Sequence, residues 1–173
     1  MVVAQIILLN LLWFASVLGA ANALLLPAIL SLFLLLAVVF VYQGFDRKDC
    51  KVILISLLCG LLIDGFLNST GWLVYAAQMH DLRYLPPFWI MMLWLGFAAT
   101  IRTGMNWMLK SPALGAVFML IGAPLSYYSA SRLGAVELLQ PWPVMITIGL
   151  TWLVYFLILT QIHNQPEGRD VLV

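Results

Sequence analysis

Asp64 lies in the stretch Cys59–Trp72, CGLLIDGFLNSTGW, a run otherwise fit for lipid. A carboxylate at the centre of a bilayer costs roughly 2.5–3.5 kcal/mol on insertion scales, so it is expected to face other helices, find a partner or hold its proton. Read as a helix, the segment places Gly60, Asn68 and Gly71 at three- and four-residue steps, with Tyr75 a turn further on. Small residues let a second backbone approach closely, and the Asn68 amide can hydrogen-bond a carboxylate or a ligand. The same stripe serves equally as a helix-packing seam with one satisfied aspartate.

Arg102 is the candidate partner, on a face that also carries Leu95, Ala98, Ala99 and Asn106. By helical rise, Asp64 lies about 18 Å from Val52 and Arg102 about 12 Å from Lys110, a depth difference an arginine can span. If the pair forms, Asp64 stays charged and the site is structural or anion-binding; if not, a proton-linked role opens. The competing expectation has Arg102 snorkelling to the membrane surface. Gly122–Ala135, GAPLSYYSASRLGA, holds a second constellation. Gly122, Ser126 and Ser129 share a face, Pro124 removes the hydrogen bond to Leu120, and Tyr127 and Tyr128 add polar tips to apolar bodies. Helix packing and interface anchoring account for these residues too. Thr147, Thr151 and Tyr155 repeat the pattern at four-residue steps.

Other chemistries find little support. Intramembrane hydrolysis needs a metal cluster, a Ser–His or Ser–Lys pair or paired carboxylates, whereas the apolar runs hold one Asp and neither His nor Lys. Catalysis would rest on Asp64 as a lone acid or base, with Ser126 or Tyr127 beside it. His80 and His163 are expected on opposite faces, and the two cysteines, Cys50 and Cys59, match no metal or redox spacing, so a metal site is not expected and free thiols are. His80, Asp81 and Arg83 read as a solvated loop cluster. No glycine-rich phosphate loop appears, and no cofactor is expected.

Composition sets the frame for these groups. The 173 residues are 64% hydrophobic and 9% charged, against about 45–50% and 25% in soluble domains, which indicates an all-α polytopic membrane bundle. A net charge of +1 leaves no basic field for nucleic acid. Runs near the 17–25 residues needed to span lipid occur at Val2–Gly19, Leu24–Tyr42, Val52–Trp72, Pro87–Leu109, Ala113–Ser131 and Val144–Ile162, followed by a polar tail, His163–Val173. The first run could pass for a signal peptide, but no Lys or Arg precedes it and a second apolar run follows at once, so a transmembrane helix is expected. Apolar character in the third run continues to about Ala77, which predicts a strong tilt or a break around Gly65–Gly71. Ring-bearing residues at the ends of the fourth suit the interfacial belts. Arg47, Lys48, Lys51, Lys110 and Arg169 fall on one side, Arg83 and Arg132 on the other, which predicts cytoplasmic termini.

In order and spacing, LNLLWFASVLGA, GLLIDGFL, PPFWIMMLWLGFA with Trp107-Met108-Leu109, and GAPLSYYSASRLGAVEL resemble a family of small bacterial inner-membrane proteins known as a domain of unknown function. The likeness covers almost the whole chain; Ala123 stands where the family pattern has glycine. It implies a Gram-negative inner-membrane location, no established activity, and, through association with fatty-acid-modifying enzymes, a link to lipid. A looser architectural likeness is to shape-determining membrane proteins and to the substrate-binding subunits of vitamin transporters. The leading expectation is a non-enzymatic protein, among membrane lipids, that binds or passes a lipid-derived or other small amphiphile in a pocket lined by Asp64, Asn68, Arg102, Asn106, Ser126 and Tyr127. The alternatives are a membrane scaffold and, third, a single-carboxylate lipid-modifying enzyme.

Overall fold

The computed structural model describes residues 2–78, 82 and 84–165. His80, Asp81, Arg83 and Arg169, which enter the loop and orientation arguments above, lie outside the described residues. The helices are α1 (Val2–Ala21), α2 (Leu26–Gln43), α3 (Arg47–Thr70), α4 (Phe88–Ile101), α5 (Asn106–Lys110), α6 (Pro112–Arg132) and α7 (Pro141–Asn164). A short ribbon joins β1 (Leu73–Tyr75) to β2 (Val136–Leu138) in antiparallel register, Leu73 opposite Leu138 and Tyr75 opposite Val136. Five helices, all but α4 and α5, are long and apolar enough to cross a membrane, so the chain is a multi-pass membrane protein with an all-α bundle.

Local chemistry sets the helix ends. Asp46 caps α3 in a reciprocal box, its side chain accepting from the Asp49 N–H at 2.7 Å while Asp49 accepts from the Asp46 N–H at 3.1 Å. α3 therefore starts at Arg47, runs unbroken past Gly65, and stops where Gly71 adopts φ +69°. The apolar residues beyond Gly71 are not more helix but β1. The fourth run is interrupted instead: α4 ends at Ile101, residues 102–105 turn, and α5 resumes. Thr100 accepts the N–H groups of both Thr103 and Met105 there.

Packing makes α4 the central helix, against α1, α2 and α3. α6 packs on α7, and α7 on α3, so the bundle runs in the order α2, α1, α4, α3, α7, α6. Apolar residues such as Ile7, Phe33, Leu62 and Ile146 are exposed, as lipid-facing positions are. Association in lipid depends on close approach rather than on water exclusion. Gly96 supplies it between α4 and α1, where a Cβ would lie 2.4 Å from Leu12 Cδ2. Gly149 supplies it between α7 and α6, where a Cβ would lie 2.8 Å from the Leu120 carbonyl oxygen. The carbonyl that Pro124 deprives of its helical donor therefore faces a packed backbone.

Candidate functional site

Asp64 is fully buried near the ribbon end of α3, about 9 Å of helical rise before Thr70. Tyr75 donates to Asp64 Oδ1 at 2.6 Å, Tyr127 donates to the same oxygen, and the Trp94 indole N–H donates to Oδ2 at 2.6 Å. Four elements thus meet at one carboxylate: α3, β1, α4 and α6. Each donor is positioned by its own neighbourhood. The ribbon aims Tyr75 inward, and Trp89 braces it edge-on at 6.0 Å while donating to the Ala76 carbonyl at 2.9 Å. Trp94 lies over Gly60, where a Cβ would come within 2.5 Å of the indole. Its other face stacks on Trp152 with ring centroids 4.4 Å apart, and Tyr155 meets it edge-on. Tyr155 shares a 2.5 Å hydrogen bond with Ser56, which also donates to the Val52 carbonyl.

A carboxylate is an acceptor-only group with room for several donors, and here the protein supplies three. No lysine, arginine or histidine hydrogen-bonds to Asp64 among the described residues. As a general acid or base it would first have to give up an internal hydrogen bond. Its chemistry in this arrangement is that of a polar knot that joins helices.

Beside the knot, α1, α4 and α6 enclose a groove of about 420 Å³. Tyr127 is common to both features, its ring lining the groove and its hydroxyl held by Asp64. The lining is otherwise mostly aromatic and aliphatic, including Trp13, Trp89, Trp94, Trp107 and Trp152. Across it, the Trp13 indole N–H donates to Ser126 Oγ at 2.8 Å and ties α1 to α6.

Arg102 lies at the opposite end of the bundle, where it donates to Asp46 at 2.5 Å and to Asp49 at 2.6 Å. The expected Asp64–Arg102 pair does not form: the turn at 102–105 carries the guanidinium to the cap of α3, whose two aspartates are closer and better hydrated partners. The Arg102 hydrogen bond holds the Asp46 carboxyl well down, at about 2, against a smaller opposing effect of burial. Lys48 and Lys51 reach across the same end to Gln165 on the tail of α7, at 2.8 and 3.0 Å. Asn106 opens α5 with its Oδ1 buried and without a hydrogen bond among the described residues.

Residues 2–158 match the model of a family described as a protein of unknown function, DUF2878. The chain belongs to that family. No curated protein and no solved structure matches the chain. The DUF2878 match contains every residue of the knot and of the groove, and its limit falls inside α7.

Of the six residues predicted to line one pocket, the structure brings Asp64 and Tyr127 into contact and sets Ser126 beside them in the groove wall. Asn68, one turn beyond Asp64, instead donates to the Leu85 carbonyl at 3.0 Å and pins the loop before α4. Arg102 and Asn106 belong to the other end. Two participants escaped the sequence reading: Trp94, which the belt pattern of its run obscured, and Trp13. A signal for the first existed. An indole N–H at mid-span needs an acceptor, and Gly60, one turn before the membrane-embedded aspartate, leaves room for a ring.

Proposed function

We propose that this membrane protein binds or passes a lipid-derived amphiphile in the groove between α1, α4 and α6, and that the Asp64 knot keeps the groove wall in shape. The observation that carries this reading is the cavity itself: about 420 Å³, within the roughly 300–1,000 Å³ of small-molecule sites, at the depth of the membrane spans and walled by rings. The saturation of Asp64 by Tyr75, Trp94 and Tyr127 favours a non-catalytic role. The excess of Lys and Arg at the end of the bundle that holds Lys48, Lys51 and Lys110 favours an inner-membrane orientation with both termini in the cytoplasm.

The test is the lipid content of the purified protein after extensive detergent exchange, read by mass spectrometry of solvent extracts. Wild type is expected to retain a defined species near stoichiometry and Gly122→Leu to lack it. Gly122 lines the groove, and a Cβ there meets nothing closer than Phe118 at 3.5 Å, so the leucine fills the space without displacing backbone. Equal lipid in the two proteins removes the reading. The second reading, a partner-recruiting scaffold, draws on the same saturated aspartate. It requires a stoichiometric protein partner in cross-linked membranes and indifference to Gly122→Leu.

A further inference from the structure

Trp152 leaves one polar atom of the groove wall unspent. Trp13, Trp89 and Trp94 line the same groove, and their indole N–H groups donate to Ser126, to the Ala76 carbonyl and to Asp64. The Nε1 of Trp152 is buried and has no hydrogen-bond partner among the described residues. Trp152 stacks on Trp94, so two nearly parallel indoles lie together with one N–H engaged and the other not. Phe97 and Tyr155 meet Trp152 edge to face at 5.5 and 5.6 Å, and the Tyr155 hydroxyl is engaged with Ser56. These rings can offer the N–H no more than a π-face, a second-order acceptor. A buried donor without an acceptor is costly, and native folds keep few of them.

Depth and charge define the acceptor that suits this atom. Trp152 lies about 17 Å of helical rise from Pro141 and about 18 Å from Asn164, in the middle of α7. The polar groups of a bilayer phospholipid lie at the edges of a hydrocarbon core about 30 Å thick, roughly 15 Å from that level. A phospholipid aligned with the bundle therefore presents only hydrocarbon to Trp152 and leaves the N–H as it was. The groove lining carries no Asp, Glu, Lys, Arg or His among the described residues, and the nearest ionisable group on the page, Asp64, stands behind Trp94 and Tyr127. An anionic acceptor at this depth would be buried without a counter-charge, whereas a carbonyl or ether oxygen would not need one.

We infer that the groove selects an amphiphile with an uncharged acceptor oxygen inside its apolar body, and that this oxygen accepts a hydrogen bond from Trp152 Nε1 in the middle of the membrane. This rests on the groove being the binding site proposed above, and the experiment separates the two. Nε1 is out of reach of solvent, so an occupant meets it only when a neighbouring ring turns aside. Of the groove rings packed on Trp152, Trp94 is held by its bond to Asp64, whereas Phe97 is held by packing alone and is the one free to turn. The probes are radiolabelled stearate and a series of oxostearates whose ketone is moved stepwise from near the head to mid-chain, used as carboxylates so that the charged head stays at the surface. Binding to the purified protein in detergent is read by scintillation proximity. At least one oxostearate is expected to bind saturably and about tenfold or more tightly than stearate. Trp152→Phe, which keeps a ring and removes the N–H, should bring that oxostearate to the affinity of stearate and leave stearate itself unchanged.

Trp152→Phe also trims the stack on Trp94, so a second measurement uses the wild type alone. The infrared stretch of an isotope-labelled ketone in the preferred oxostearate is expected at lower frequency when bound than in protein-free micelles, as hydrogen bonding to an N–H requires. An unshifted ketone, or a preference for the oxostearate that survives in a folded Trp152→Phe, would overturn the assignment to Trp152. Equal affinity for stearate and every oxostearate, with both lost in Gly122→Leu, would overturn the acceptor inference and leave an amphiphile groove standing. Absence of any saturable binding sensitive to Gly122→Leu would overturn both the inference and the reading beneath it.

Discussion

Replacing Asp64 with Asn keeps the shape of the knot and changes its hydrogen-bonding parity. With the amide oxygen facing Tyr75 and Tyr127, the amide nitrogen must face the Trp94 indole N–H across 2.6 Å, donor against donor. A buried donor left unsatisfied costs about 1–3 kcal/mol. The two tyrosine bonds also fall from the roughly 1.5–3 kcal/mol of a bond to a charged group toward the roughly 0.5–1.5 of a neutral one. Relief from burying a charge offsets part of this, since the effective penalty is several kcal/mol per ion. The net expectation is a loss of about 2–3 kcal/mol, which for a chain of this size lowers Tm by about 4–12 °C. The assay is thermal unfolding in detergent followed by near-ultraviolet circular dichroism, which sees the Trp94–Trp152 stack directly, with Tyr127→Phe and the double variant completing a cycle. Coupling between the two sites is expected, because both changes act on one carboxylate. An unchanged or higher Tm for Asp64→Asn would refute the reasoning, because it would mean that the native carboxyl already presents a donor, as its protonated form does.

Three further outcomes follow from named contacts. Gly60→Ala should destabilise by about 1–3 kcal/mol in the same assay, because its methyl must displace the Trp94 ring from a packed stack. Tyr155→Phe should cost only about 1 kcal/mol, because Ser56 keeps its bond to the Val52 carbonyl; a loss as large as that of Asp64→Asn would place the knot elsewhere. Arg102→Ala should change the response to acid. The Asp46 carboxyl, held down to about 2 in the fold, contributes stability that is complete above its unfolded value, roughly pH 4, and fades as the pH falls toward about 2. Without Arg102 most of that acid-sensitive increment should be missing from unfolding midpoints compared at pH 3 and pH 6, and an identical pH response in wild type and variant would contradict it.

Much of the fold was legible because lipid restricts the vocabulary: apolar runs of sufficient length must be helices, since no other open structure satisfies its backbone there. Asp64 was legible for the same reason, as a carboxylate in hydrocarbon demands partners wherever it sits in the fold. The C-terminal end of α3 is encoded locally in Gly71, but its start was not read: the apolar run alone begins at Val52, whereas the Asp46–Asp49 capping box starts the helix at Arg47, inside the charged stretch. Which partners Asp64 takes was not legible either. Tyr75, Trp94 and Tyr127 lie 11, 30 and 63 residues away, and their convergence depends on a two-stranded ribbon that hydropathy does not announce and on the glycine contacts that set helix spacing. Arg102 shows the converse, for depth along a run favoured Asp64, while the turn at 102–105 delivered its side chain to Asp46 and Asp49. Sequence periodicity ranks the residues that need a partner. Only the order in which helices pack decides which partner is within reach, and whether two helices left apart, as α1 and α6 are, enclose a groove.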